Sequence, residues 1–438
     1  MSFVEFLGAS PSAYHACAEV ARQLREVGYQ EQLETEPWDS TPGGHFVCRD
    51  GAIVAYHLGE VGSRFAILGA HTDSPGFKLK PRPQHSSYRW SQAGMEVYGG
   101  PLLNSWLDRE FGLAGRVVLS TGEQRLVATD PWLRIPQLAP HLDRSVNDGL
   151  ILNPQRHLMP VYAVGVRSLK SWKTPRAGTS GTSGNSDFRP VVDTAGVDII
   201  QALAEVLGCA ADEIMGHDLF AYITQPPEYF GVDKQFLAAG RLDNLSSVYP
   251  GLQALIAAEP SIGTIPVLAC FDHEEVGSET RTGAGGTLLD DVLTRICLGL
   301  SLTADEAYQV RARSQMVSAD AGHSIHPNYP EKHDLDEHPL MGAGPMIKIN
   351  AQQRYTSDGP GRQLWAAICA EAGVPHQVFV SNNAVPCGST IGPIASTRLG
   401  IPTVDVGIPL LSMHSAREMC APIDVEYLTQ ALTVFFIG

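Results

Sequence analysis

The sequence predicts an α/β protein, built as a three-layer α/β domain split in two by a β-rich insertion. Three observations predict it. Apolar strand-like runs alternate with helix-like periods in the first and last parts of the chain. Between them lies a stretch of short strands broken by Gly, Pro and Asn. His, Asp and Glu also recur immediately after apolar runs, where the carboxyl edge of a parallel sheet forms binding crevices.

Taken in order, Phe3 to Tyr29 carries Val4, Phe6, Leu7, Ala16, Val20 and Leu24 at helical spacing, with a helix start at Ser10-Pro11-Ser12. Ala52 to Leu58 and Arg64 to Ala70 read as strands, the second apolar enough to be buried on both faces. From about Pro83 to Val232 the texture is that of the insertion, with strands expected at Ala114 to Ser120 and Arg125 to Thr129. Within it, Lys173 to Pro190 is a Gly/Ser/Thr-rich loop or linker, and Asp198 to Leu207 a helix stopped by Gly208. After Gly240 the alternation resumes. Helices are expected at Asn244 to Ala258 and Leu288 to Leu298, and strands at Ile265 to Phe271, Gln315 to Ala319, Gly344 to Asn350, His376 to Val380 and Thr403 to Gly407. These elements set domain limits of 1–83, 84–232 and 233–438, the outer two forming one α/β unit with a mainly parallel sheet.

Composition narrows the function. With 31 Lys+Arg against 47 Asp+Glu the formal net charge is −16, which argues against a nucleic-acid binder, since phosphate neutralisation needs a basic face. Apolar residues make up 44% of the 438 and charged residues 18%, which excludes disorder, and 43 Gly with 30 Pro exclude a long coiled coil. No run approaches the roughly 18 apolar residues of a membrane span, so no membrane partner is expected. Met1 to Arg22 lacks the basic start of a secretory signal. The eight cysteines are scattered without a CxxC pair and read as reduced thiols. A cytoplasmic location is the expectation.

The chemistry sits at the ends of the apolar runs. His71-Thr72-Asp73 follows one of them, and its spacing lets Asp73 hold the His71 imidazole in one tautomer. Asp243 stands at a helix start, where an ordinary N-cap is the plainer reading. Glu274 and Glu275 follow the apolar Pro266 to Cys270; as neighbours they point apart, so one can bind a cation while the other acts as a base. The run His273-Glu274-Glu275-Val276-Gly277 is not HExxH, which excludes the helix-borne zincin site. Asp320 and His414 each lie just past a further apolar stretch. Singly, each is more often a turn residue than a ligand. Together His71, Asp243, Glu275, Asp320 and His414 offer the mixed N/O donors that suit two zinc-like ions sharing a carboxylate. Glu274 is then placed to take a proton from water and pass it to a leaving amine.

These residues resemble a known family. His71 to Pro75, Gly240 to Asn244, Glu274 to Ser278, Ser318 to Asp320, Pro386 to Pro393 and Met413 to Ser415 are six ordered marks of the M18 metallopeptidases, the aspartyl aminopeptidase family. The likeness extends to Trp106 to Arg109 and Leu113 to Val117 in the insertion. It implies a phosphorylase/hydrolase-like α/β/α catalytic domain interrupted by a β-rich dimerisation domain. It also implies two divalent ions per subunit, most often Zn2+, with Co2+ or Mn2+ as alternatives. His71 and Asp320 would hold one ion, Glu275 and His414 the other, and Asp243 both, with Asp73 orienting His71 and Glu274 as general base. The substrates would be peptides with a free N-terminus, preferably Asp or Glu, and the assembly a dodecamer built from dimers. Lys348 matches a lysine that faces the acidic side chain, and His141 is the candidate for a histidine that reaches a neighbouring subunit's site. Ser381 to Val385 departs from the family, whose members carry an Arg and an Asp close together there.

Lys348 also has a reading from charge alone. A pocket that selects a carboxylate needs a cation, since a buried carboxylate without one costs several kcal/mol. A net charge of −16 would repel acidic peptides at long range, so selection must be local. Two other readings stay open at this stage: a two-metal amidohydrolase or deacylase acting on another amide, and a catalytically idle oligomeric scaffold.

Overall fold

A computed structural model describes residues 1–59, 62–165 and 197–438. The Lys173 to Pro190 stretch lies outside these described residues. The content is mixed α/β, and the chain divides into two compact units. The first comprises Met1–Gly76, Tyr98–Ser105 and Gln225–Gly438; the second comprises Phe77–Val97 and Trp106–Thr224. Where a single insertion over 84–232 was expected, Tyr98–Ser105 therefore clusters with the first unit. The reason is local: the Leu102 N–H donates to the His414 carbonyl (2.8 Å) and the Tyr98 hydroxyl to Asp73 (2.7 Å).

The first unit is organised on a nine-stranded sheet. Its order is 30–31, 43–49, 52–58, 263–271, 62–71, 315–319, 403–407, 346–349 and 377–380. Strand 62–71 runs parallel to both its neighbours, 263–271 and 315–319, and 315–319 runs parallel to 403–407. Antiparallel pairs join 43–49 to 52–58, 52–58 to 263–271, and 346–349 to 403–407, so the sheet is parallel at its centre and mixed toward its edges.

Strand alternation sends side chains to two cores. Ala66, Leu68 and Ala70 join the cluster that includes Leu7, Val20, Leu245, Leu252, Trp365 and Leu432. Phe65 and Ile67 join the other, with Leu288, Val292, Ile296, Val310 and Ala395. Successive residues of a strand face opposite ways, so helices cover both sides of this sheet. Gly251, in helix Leu242–Ala257, is what allows one of those helices to lie close. A β-carbon there would fall 2.3 Å from Leu68 Cδ2 and 3.0 Å from Leu268 Cδ1.

At the N-terminus the expected helical stretch is two helices, Phe3–Ala9 and Ala13–Glu26. Ser12 caps the second through its side chain, which accepts from the His15 N–H, and Pro11 stands just before it. The helix expected at Asn244 starts at Leu242, and the strand expected at 265–271 starts at Gly263. Helices at Ala304–Arg313, Gly359–Ala372, Ile391–Leu399 and Pro422–Ile437 had no sequence expectation. Among the described residues no helix is long and apolar enough to cross a membrane.

The second unit is β-rich. Strand 110–119 pairs antiparallel with 124–128 and with 214–223, and 214–223 also pairs with 76–87. These pairings, with 90–98, 161–164 and 133–134, close the sheet on itself. Gly115, at φ 153°, has no room for a side chain, since a β-carbon would sit 1.9 Å from the Asp218 carbonyl oxygen. Phe77, Trp106 and Phe111 fill its core edge-to-face, at 5.2 and 5.7 Å.

Candidate metal centre

Register explains why distant residues meet. Leu68 is opposite Leu268, and His71 opposite Phe271, so these two parallel strands end at one level. Ser318 lies opposite Gly69 and Ala319 opposite Val406, which brings Asp320 to the same edge. Glu274 and Glu275 start a short helical turn just past Phe271, and Asp243 lies in the first turn of helix Leu242–Ala257. His414 is carried by a loop in a left-handed conformation (φ 65°), as are Arg241 and His273 (both φ 64°). Non-glycine residues held there cost about 1–3 kcal/mol each, and such strain gathers at sites where geometry matters.

Asp243 lies between the two histidines. Its Oδ1 is 3.3 Å from His71 Nε2, and its Oδ2 is 3.3 Å from His414 Nε2. Asp320 Oδ1 is 3.7 Å from the same His71 nitrogen, and Glu275 Oε2 is 3.5 Å from His414 Nε2. Potential ligand atoms of His71, Asp243 and Asp320 lie within 4.8 Å of one another; so do those of Asp243, Glu275 and His414, and of His71, Glu274 and Glu275. The first two groups share Asp243.

The surrounding contacts set these side chains. His71 Nδ1 is 3.1 Å from the Asp73 carbonyl and 3.3 Å from its Oδ1, which leaves Nε2 to face the carboxylates. Asp73 also accepts the backbone N–H groups of Glu274 and Glu275, both at 3.1 Å, so one carboxylate fixes a histidine and the two glutamates together. His414 Nδ1 lies 2.9 Å from the Gly100 carbonyl. Sequence reasoning missed Glu418. Its Oε2 accepts from the Asp243 N–H (3.0 Å) and its Oε1 from the His414 N–H (2.7 Å). His414 is only four residues from it, but Asp243, 175 positions away, is brought to it by the fold, and nothing in the local sequence marks that second role. Asn244, which the sequence offers as a helix cap, instead donates to the Ala319 carbonyl (2.8 Å) and so ties the helix start to the strand that delivers Asp320.

The clustered carboxylates and imidazoles shift one another's titration. Burial works against an imidazolium at His71, yet the carboxylates of Asp243, Asp320 and Asp73 outweigh it and raise its pKa well above the usual range. His414 is likewise raised, to about 9, with burial opposed by Asp243. Burial raises Glu274 to about 8, and burial together with Asp243 takes Glu275 well above the carboxylate range. Asp243 Oδ1 and Glu275 Oε1 are buried and satisfied by no hydrogen bond among the described residues. The His71–Asp243 approach is thus an ion-pair distance without hydrogen-bond geometry. Orphaned oxygens beside two imidazole Nε2 atoms form a donor set of the kind divalent zinc takes, and these residues fit a metal site.

A cavity of about 430 Å³ opens onto this group, and Lys348, His323, Tyr355, Thr390 and Met413 help to line it. Lys348 is 2% exposed, and its Nζ donates to the Ala321 carbonyl (2.7 Å) and lies 5.4 Å from the centre of the Tyr355 ring. No carboxylate pairs with it among the described residues, so its ammonium retains donors for an incoming anion. His141 is an exposed turn residue of the other compact unit. Cys387, of intermediate burial, carries a free thiol.

Comparison with known proteins gives the family. A family model described as aminopeptidase I zinc metalloprotease (M18) matches residues 6–436. A probable M18 family aminopeptidase 2 of Streptomyces avermitilis is 47% identical over 443 residues, covering 99% of this chain and 96% of its own. A probable aspartyl aminopeptidase of Ricinus communis is 38% identical over 460 residues, covering 99% and 94%. Among solved structures, the S. cerevisiae mApe1 dodecamer aligns over 99% of this chain and 95% of that one, at a TM-score of 0.81 and 26% identity.

Proposed function

Since the chain belongs to the M18 family and is a metallo-aminopeptidase, we propose that it releases N-terminal residues, preferably Asp or Glu, at a pair of divalent ions with Glu274 as general base. His71 and Asp320 would hold one ion, Glu275 and His414 the other, and Asp243 both, with zinc the leading candidate and cobalt or manganese as alternatives. When bound, the pair would supply Lewis acidity, polarising the scissile carbonyl and lowering the pKa of the attacking water.

The chain's own residues supply the rest. Glu274 accepts the proton of the attacking water and passes it to the departing amine. Burial favours its protonated form, which suits the second half of that exchange. Asp73 orients His71 and holds the backbone of both glutamates. Lys348 receives the carboxylate of the first residue. The observation that carries the reading is Asp243, whose two oxygens face two different histidines at 3.3 Å.

In the same proposal, the first compact unit is a three-layer α/β/α phosphorylase/hydrolase-like catalytic domain, and the second is an inserted dimerisation domain. The chains assemble as a homo-oligomer on the pattern of the yeast dodecamer, with His141 reaching a neighbouring subunit's site. The eight free cysteines suit a cytoplasmic setting.

The test is an assay against Asp-, Glu-, Leu- and Lys-linked chromogenic amides, before and after chelation and metal add-back. Turnover of Asp and Glu amides that chelation abolishes and zinc restores is the expected result. Preference for Leu with intact metal dependence would remove the Lys348 assignment alone. Chelator-resistant turnover would remove the metal mechanism.

A further inference from the structure

A second cavity, of about 370 Å³, shares His323, Tyr355, Phe379 and Gly388 with the cavity of the candidate metal centre. Beyond that common wall its lining includes His326, Tyr329, Lys332, His333 and Asn382, and among the described residues no Asp or Glu lines it. In a chain with 47 acidic residues against 31 basic ones, a carboxylate-free recess bearing a lysine and three histidines is a marked local departure.

The recess is also built. The His326 backbone N–H donates to His333 Nε2 (3.0 Å), and the Asn328 N–H donates to His326 Nδ1 (3.2 Å). Each ring therefore accepts on one nitrogen and carries its proton on the other, at Nδ1 of His333 and Nε2 of His326. Neither N–H has an acceptor among the described residues. Asn382 braces the loop behind them, donating to the carbonyls of Glu331 (3.1 Å) and His333 (3.0 Å) and accepting from the Ala384 N–H (2.8 Å). The exposed Lys332 forms no ion pair among the described residues.

We propose that this recess is an anion subsite for the leaving side of the peptide. It would take a carboxylate, either the α-carboxylate of a dipeptide or the acidic side chain of the second residue. Lys348 receives the first residue's side chain in the adjoining cavity, so the shared wall separates recognition of the first residue from recognition of the leaving portion. Two imidazole N–H groups and one ammonium match the lone pairs of a single carboxylate. The inference rests on the aminopeptidase reading and extends it to a substrate class: short peptides that are acidic on both sides of the cleaved bond.

Three substrates with the same first residue test it: Asp-Ala-amide, Asp-Ala with a free carboxylate, and Asp-Glu-amide, given to the metal-loaded full-length protein. At least one of the two added carboxylates should raise kcat/KM over Asp-Ala-amide on the order of 10-fold, the equivalent of one charge-assisted contact. A gain for Asp-Ala alone identifies the chain terminus as the ligand; a gain for Asp-Glu-amide alone identifies the side chain. In Lys332→Met, and in His333→Gln as a second variant, the ratio should fall to about 1. A ratio near 1 in the unaltered protein, or a ratio that survives both substitutions, overturns the subsite and leaves the aminopeptidase reading standing. Cleavage of none of the three would overturn both.

Discussion

Glu274 and Glu275 are neighbours in sequence, and Asp73 holds both of their backbone N–H groups, yet their side chains have different company. Glu275 Oε2 faces His414, whereas Glu274 has ligand atoms near His71 and is pushed up to about 8 by burial. Replacing Glu274 with Gln keeps the shape and removes the proton acceptor. Turnover should fall by about 10²–10⁴-fold, while metal content, measured by elemental analysis after dialysis, stays at the unaltered level. If metal is lost in parallel with activity, Glu274 is a ligand and not a base. Lys348→Met makes a separate prediction. The Asp-over-Leu preference in kcat/KM should collapse by on the order of 10-fold or more, since a carboxylate would be buried without its cation. Retention of that preference would place acid recognition elsewhere.

At the scale of elements, the site depends on how closely helix Leu242–Ala257 lies against the strands that deliver His71 and Glu274. Gly251 permits that approach, and Leu68 and Leu268 occupy the space a larger side chain would need. Gly251→Val should destabilise the protein by about 1–3 kcal/mol through overpacking, read as a lowered midpoint in chemical denaturation. An unchanged midpoint would mean that the helix can shift without cost. Helix termini show what local sequence encodes well. Ser12 caps Ala13–Glu26, as its place beside Pro11 suggests, and Thr303 with Glu306 forms a full capping box at Ala304–Arg313. That second helix went unread because its apolar stripe is thin: only Val310 is buried. Pro422–Ile437 was hidden for the opposite reason. Val425, Leu428, Ala431, Leu432, Phe435 and Phe436 are buried at helical spacing, but Ile423, Tyr427, Val434 and Ile437 add apolar residues off that face and blur the period.

For the whole molecule, metal binding and folding should be linked. Ions held by residues from both ends of the chain stabilise only the folded state, by about 2.7 kcal/mol when free metal stands at 100 times Kd. Chelation should therefore lower the melting temperature of the protein, and zinc add-back should restore it. A melting temperature indifferent to chelator would mean that no ion bridges these segments. Assembly is the other property at this scale. Light scattering should give a mass near twelve times the 47.1 kDa chain, and a monomer or dimer would separate this protein from the yeast dodecamer it resembles.

Residue order settles which side chains stand at the ends of the apolar runs, and so which of them could meet. His71, Glu274, Glu275, Asp320 and His414 were legible in this way, because parallel strands present their carboxyl ends on one edge; Asp243, at a helix start, was marked only by its company. The alternation of apolar runs and helical periods likewise foretold mixed α/β content. The partners of these residues come only from the folded chain. Glu418, which accepts the N–H groups of Asp243 and His414, and Asn382, which braces the recess beside Lys332, look like ordinary polar residues in the sequence. Folding also places Tyr98–Ser105 with the first unit, through the contacts of Gly100 and Leu102 with His414. The physical reason is common to these cases. Apolar patterning is a local property with a period, whereas a single hydrogen bond, whether it spans four positions as from His414 to Glu418 or 314 as from His414 to Gly100, leaves no periodic trace in either segment.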